Sequence, residues 1–258
     1  MKHSTHRLAL SALALSTALF VAACGTSGAS DDAGKDDQTT TTAAKADKTT
    51  TTAEETTTTE AAADEEAQAR ADSIDLTVSD FPDGWSSSPS TDDDSPSPLE
   101  ECDPSFSDES TTLAKHSTDD FTFGSLDQND GANLAAETKV FTDEEAAQAA
   151  LDPFSDPEVV SCLDAKLKDL FGQSAGATVT GDLSEDDIDL GTDQAEGLSA
   201  TYTIDAPDGS SAEVNIGLLA IRTGDLATLV TITSTGESFQ PTDLQSPLTQ
   251  LATLQGEA

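Results

Sequence analysis

The sequence predicts an α+β domain, an antiparallel sheet with helices packed on one face, preceded by a disordered stalk. Three observations predict it. Residues 198–232 alternate apolar and polar side chains in three runs, as half-buried strands do, and Pro207-Asp208-Gly209 and Thr223-Gly224-Asp225 divide the runs as turns. Two stretches of helical spacing interrupt strand-like runs and a third closes the chain, which places helices over an antiparallel sheet. Residues 25–71 carry Thr, Ala, Asp, Glu and Ser with hardly an apolar side chain larger than alanine. Such a segment cannot offset the entropy of ordering, so it reads as a stalk, with Ala61–Ala71 transiently helical just before the domain.

Within the domain, placed at residues 72–258, Ile74, Leu76 and Val78 alternate like a strand, and Pro82-Asp83-Gly84 turns the chain before Trp85, the single tryptophan. Ser86–Pro98 is a Ser/Pro/Asp loop. Residues 111–123 break the strand pattern, with Leu113, Phe121 and Phe123 as core candidates. Leu134, Ala136, Thr138 and Val140 form a strand ending at Phe141. Thr142-Asp143-Glu144-Glu145 is a capping box for a short helix, its hydroxyl and carboxylate meeting the first orphan amides. Asp156-Pro157 starts a second helix with proline at its first position; Val159, Val160, Leu163, Leu167, Leu170 and Phe171 form its apolar stripe, with Cys162 at the edge. Leu198 to Ile204 and Ala212 to Ala220 make a hairpin. Leu219 and Ile221 give its second strand a second apolar face, so that strand is central. Leu226 to Ile232 completes a meander, and Ser246-Pro247 begins a closing helix bearing Leu248, Leu251 and Leu254.

The chain begins with basic Lys2, His3, His6 and Arg7, followed by an apolar run from Leu8 to Val21 and small residues before Cys24. That is the anatomy of a secretory signal over residues 1–23. The run falls short of the ~20 apolar residues that a membrane-spanning helix needs. Val21-Ala22-Ala23-Cys24 resembles the lipobox of bacterial lipoproteins. The resemblance implies a diacylglyceride on Cys24 as the first mature residue, a stable anchor because each buried methylene contributes ~0.8 kcal/mol. Cleavage after Ala23 with a free thiol is the alternative. With Cys24 assigned to lipid, Cys102 and Cys162 remain as an even pair for a disulfide in an oxidising compartment. A metal site shared by those two cysteines would lack both a CxxC and a histidine near either in sequence. As a coil, residues 24–71 hold the domain about 35–40 Å from the anchor.

The formal net charge is −39, and residues 72–258 carry only five basic side chains: Lys115, Lys139, Lys166, Lys168 and Arg222. Such a field repels nucleic acid and anionic headgroups. It fits a heavily hydrated surface, as in high salt, or a surface that gathers cationic partners. Weak divalent cation binding has two candidate sites, Asp182-Glu185-Asp186-Asp187-Asp189-Asp193 and Asp127-Gln128-Asn129-Asp130-Gly131, but neither has the spacing of a calcium loop. A solvated acidic loop explains both.

Enzyme chemistry finds little support. His116 is the one histidine outside the leader, and the chain has no HExxH, no Gly-x-Ser-x-Gly elbow, no Ser-x-x-Lys and no phosphate-binding glycine loop. A hydrolase would need His116 to meet a serine and a carboxylate in one cleft. No cofactor is implied. Trp85 and Tyr202 are the candidate ligand-stacking residues, with core packing as the alternative for Trp85.

Asp80-Phe81-Pro82-Asp83-Gly84-Trp85, the two cysteines, the Val140–Ala146 strand-to-helix junction and the strand-rich end resemble a group of actinobacterial envelope lipoproteins. That group is distantly similar to the extracellular sensor domains of receptor-type serine/threonine kinases, which carry two disulfides where one pair is available here. The resemblance implies an extracytoplasmic binding module. The expected protein is therefore lipid-anchored at the outer face of the cytoplasmic membrane and non-catalytic, binding a small ligand or an envelope protein partner. An accessory envelope protein acting through protein partners is the alternative, and a hydrolase the second.

Overall fold

A computed structural model describes residues 55–90, 97–173, 176–186, 188–236, 239 and 241–258, with side chains from residue 64 onward except 107 and 127. The leader, Cys24 and residues 24–54 lie outside the described residues. Among the described residues five α-helices are present: α1 (Glu55–Ser73), α2 (Pro98–Cys102), α3 (Glu144–Ala149), α4 (Pro157–Gln173) and α5 (Gln245–Glu257). They surround one antiparallel sheet of nine strands: β1 (Trp85–Ser88), β2 (Thr112–Ser117), β3 (Asp120–Ser125), β4 (Asp130–Phe141), β5 (Thr178–Thr180), β6 (Ser184–Asp186), β7 (Gln194–Asp205), β8 (Ser211–Thr223) and β9 (Leu226–Thr235).

The sheet runs β1-β3-β4-β9-β8-β7-β5, with β2 on β4 and β6 on β7. The β7–β8 hairpin turns where Pro-Asp-Gly predicts, pairing Leu198 with Leu218 and Tyr202 with Val214. Gly209 closes that turn at φ 87°, a conformation that a side chain would strain. β3 and β2 share one edge of β4, pairing with residues 130–134 and 137–141. Between them Thr118 is buried and exchanges hydrogen bonds with Ala136: its N–H donates to the Ala136 carbonyl at 2.9 Å, and its hydroxyl accepts the Ala136 N–H at 3.3 Å.

The α+β class and antiparallel sheet are those expected, but the helices cover both faces. On one, α1 and α5 pack over Leu134, Val140, Leu219, Ile221 and Val230. On the other, α2, α3 and α4 pack over Leu198, Tyr202, Ile216 and Leu218. The doubly apolar β8 requires this arrangement, since a period of two sends Leu218 and Leu219 to opposite sides. The unforeseen cover is α1, whose C-terminal turns carry the buried Ala67 and Ala71. Alanine fits close against the sheet without looking like core in a Thr/Ala-rich sequence, so the packed unit begins before residue 72.

Local readings change in five places. Ile74 and Leu76 are buried as alternation implies, but the segment is no strand: Asp80 accepts the Thr77 N–H at 2.7 Å and closes a tight turn at Val78–Asp80, leaving Val78 exposed. Residues 111–123 form β2 and the start of β3, with Phe121 buried but Leu113 exposed and Ala114 facing the core. The cap of α3 is Asp143, whose carboxylate accepts the Ala146 N–H at 2.8 Å, because the Thr142 N–H is still held by the Thr111 carbonyl. Leu170 lies on the exposed side of α4. In α5, helix begins at Gln245, directly after a Pro241–Leu244 turn, so Ser246 is already inside it.

Among the described residues no helix is long and apolar enough to cross a membrane.

Candidate functional site

α3 is six residues long, so it covers only about 9 Å of a face along which β4 runs for twelve residues. Beyond it the sheet opens into a cleft of about 680 Å³. Ala135, Glu137 and Lys139 of β4 with Leu229 and Thr231 of β9 line its sheet side. Leu99 and Glu100 of α2, Phe106 of the following turn, and Leu151 and Phe154 after α3 form its walls; Lys115 and Ser117 of β2 and Asp120 of β3 complete the rim. The volume falls within the roughly 300–1,000 Å³ of small-molecule sites, and its lining mixes apolar walls with many polar groups, Glu100, Asp108, Asp120 and Glu137 standing beside Lys115 and Lys139.

Cys102 and Cys162 are disulfide-bonded with Cα atoms 5.7 Å apart, tying α2 to α4 and holding one wall of the cleft. Beside the bond the Lys166 ammonium donates to Glu101 at 2.5 Å. Within the cleft wall the ring of Phe106 stacks edge-on to Phe154, centroids 5.5 Å apart. Lys139 donates to the Phe106 carbonyl at 3.2 Å and lies 3.5 Å from Glu137. Lys115 pairs with Glu109 at 2.7 Å, and that hydrogen bond holds the Glu109 carboxyl below its ordinary range. Burial, with Asp119 adjacent, pushes the Asp120 carboxyl up.

Trp85 and Tyr202 do not line this cleft. Trp85 is buried among Phe81, Phe123 and Phe239, with ring centroids 4.7, 5.9 and 6.2 Å away, on the α1/α5 side of the sheet. Tyr202 is fully buried and donates its hydroxyl to Asp164 of α4 at 2.8 Å. Asp164 also accepts from Lys168 and from the Leu183 N–H. Both aromatic side chains build the core. Cys24 lies outside the described residues.

His116 sits on β2 with Nδ1 3.3 Å from Asp72 and Nε2 3.4 Å from Asp75. Each ring nitrogen faces a carboxylate, so neither is turned to a hydroxyl nucleophile as a hydrolase would need. The acidic stretches are dispersed. Asp182 pairs with Lys168, Asp189 accepts the Gly191 N–H, and Asp193 accepts the Gly224 N–H and faces Arg222. Asp187 is outside the described residues. Residues 127–129 lie in the β3–β4 connection, where Asn129 takes a left-handed conformation at φ 54°, and Asp130 and Gly131 begin β4. Among the described residues no three His, Cys, Asp or Glu side chains converge as a metal site.

The cleft and its two lysines escape a reading of the sequence. Lys115 and Lys139 are 24 residues apart, and only the β2–β4 register brings them together.

No protein-family model matches the chain, and no curated protein matches it significantly. Among solved structures it is similar to the extracellular domain of PknH from Mycobacterium tuberculosis, with a TM-score of 0.45 and 11% identity over 74% of this chain and 97% of that one. It is also similar to LpqN of the same organism, described as involved in cell envelope biogenesis, with a TM-score of 0.31 and 14% identity over 69% of this chain and 78% of that one.

Proposed function

We propose that the chain is a lipid-anchored cell-envelope protein whose domain binds a ligand in the cleft over β4 and β9 and does no chemistry on it. The leader and Cys24 supply the anchor at the outer face of the cytoplasmic membrane, and residues 25–54 supply reach. The single observation that carries the binding role is the cleft of about 680 Å³, walled by a disulfide-tied segment and floored by rigid sheet. Sites built on strands hold their groups in place better than sites on loops.

Native mass spectrometry of the full chain, secreted from a lipoprotein-processing bacterial host, tests both halves. The expected spectrum shows a covalent diacylglyceride increment on Cys24, and an additional mass that is lost on denaturation or gained when envelope lipid extract is added. A polypeptide ending its processing at residue 24 without lipid would overturn the anchor. A protein that takes up nothing from lipid extract but crosslinks to an envelope protein would favour the accessory reading, which the strongly acidic surface supports.

A further inference from the structure

Strand register orders the floor of the cleft. Asp120 of β3 precedes Phe121, the partner of Leu134, so it stands beside Ala135, which in turn pairs with Thr231 of β9. Two residues further along β4 lie Glu137 and its partner Leu229, and two further still lies Lys139, opposite Lys115. A period of two sends these side chains to one face, and all of them line the cleft. The floor therefore has a direction, with Asp120 at one end, apolar surface along its middle and the lysines at the other end.

The lysine end is neutralised within the protein. Lys115 pairs with Glu109 at 2.7 Å, while Lys139 donates to the Phe106 carbonyl and faces Glu137 at 3.5 Å. On the α2 side Glu100 accepts the Ser97 N–H at 2.6 Å and Asp108 accepts the Ser110 N–H at 2.9 Å. With four carboxylates against two ammonium groups, the lining is acidic. Asp120 differs from the other three. It is half-buried, its carboxyl is pushed up by burial and by the neighbouring Asp119, and no donor or cation among the described residues pairs with it.

We propose that the cleft takes a small organic amine, its ammonium against Asp120 and its carbon skeleton over Ala135 and Leu229, toward the wall made by Leu151 and Phe154. The proposal rests on the cleft being the binding site and adds the class of ligand. A partly buried carboxylate without a partner is held at a cost, which an incoming ammonium removes by forming a charge-assisted hydrogen bond. The other carboxylates of the lining attract the same sign of charge, and the field of the acidic domain gathers cations at the mouth. That field is screened beyond roughly 8 Å at physiological salt, so the choice among cations is made by contact inside the cleft. An amine with an apolar skeleton gains there from burial, whereas a small hydrated cation has nothing to bury.

The test is a nuclear magnetic resonance titration of the full chain at physiological salt with hexylammonium, neutral 1-hexanol, hexanoate and methylammonium. Hexylammonium should give saturable shifts at Ala135 and Leu229 and bind at least tenfold tighter than hexanol or hexanoate. Methylammonium, which has no skeleton to bury, should not saturate. Asp120→Asn, which keeps the shape and removes the charge, should weaken hexylammonium at least tenfold and leave hexanol unchanged. Glu185→Gln, at an exposed carboxylate of β6, should change neither. Hexanol or hexanoate saturating these residues as tightly as hexylammonium, or unchanged hexylammonium binding in the Asp120→Asn variant, would overturn the amine assignment while the cleft reading stands. If none of the probes shifts these residues saturably, both are overturned. Melting curves of each variant confirm that the fold is intact.

Discussion

Arg70 holds Asp225 through two parallel hydrogen bonds, Nη1 to Oδ2 at 2.8 Å and Nη2 to Oδ1 at 2.6 Å. The first residue belongs to α1 and the second to the tip of the β8–β9 turn. A bidentate pair of this kind fixes orientation as well as distance. With Ala67 and Ala71 buried beneath it, it makes the end of α1 part of the domain. Helix α1 and the sheet that floors the cleft are therefore mechanically joined.

Arg70→Ala should destabilise the chain by about 1–2 kcal/mol, because the partner carboxylate is left partly buried. Hydrogen exchange should rise over residues 64–73 first. An unchanged exchange rate there would show that the pair does not hold the helix.

The Asp225 carboxyl is held below its ordinary 3.8, chiefly by the hydrogen bonds from Arg70. For Asp164, burial pushes the carboxyl up, but the hydrogen bonds from Lys168, Tyr202 and the Leu183 N–H outweigh it, and the group also sits below 3.8. Both groups release their proton more readily folded than unfolded. Their contribution is full above the unfolded value and fades as pH falls through the lowered folded values. Stability should therefore decline from about pH 5 downward. Asp164→Asn with Asp225→Asn should flatten that decline, as chemical denaturation at a series of pH values would show.

Tyr202 is the sole tyrosine. Burial, then the hydrogen bond to Asp164, pushes its hydroxyl well above the ordinary 10. Ultraviolet titration of the folded chain should show no tyrosinate until the protein unfolds in alkali. Tyr202→Phe should cost about 1–2 kcal/mol, since Asp164 loses a donor while its other two remain.

Under α5 the buried Thr228 hydroxyl meets Thr138 at 2.7 Å and accepts from the Gln255 amide at 2.6 Å. The Gln255 Oε1 is buried with no hydrogen-bond partner. Thr228→Val should destabilise by about 1–3 kcal/mol by leaving the Thr138 hydroxyl unpaired and taking from the Gln255 amide one of its two acceptors, the other being the Ile221 carbonyl, whereas adding Thr138→Val and Gln255→Leu should restore much of it. Denaturant midpoints of the single and triple variants decide between them.

Removing the disulfide with Cys102→Ser and Cys162→Ser should cost roughly 2–5 kcal/mol. It should also release the α2 wall, so exchange protection should fall at residues 98–106 before the sheet is affected.

The parts of this fold that rest on local pattern were legible in the sequence. Leu198 to Ala220 alternates cleanly around Pro-Asp-Gly, and Pro157 marks the start of α4. What depended on distant pairing was hidden. β2 carries Lys115 and His116 where a strand usually shows apolar residues, and it becomes a strand only against β4. α1 uses alanines as its buried contacts, which look the same in a linker. The aromatic residues that suggested a ligand site, Trp85 and Tyr202, satisfy the core instead, while the cleft arises because α3 ends after six residues. Composition disclosed the scarcity of lysines; only the register of β2 against β4 disclosed where two of them meet.

The most direct measurement of the central claim is nuclear magnetic resonance mapping of the full chain during titration with envelope lipid extract. Saturable shifts confined to Ala135, Glu137, Lys139, Leu229 and Thr231, with none around Trp85, are the expected result. An absence of saturable shifts in these residues, or shifts centred on another surface, would contradict the assignment of the cleft as the binding site.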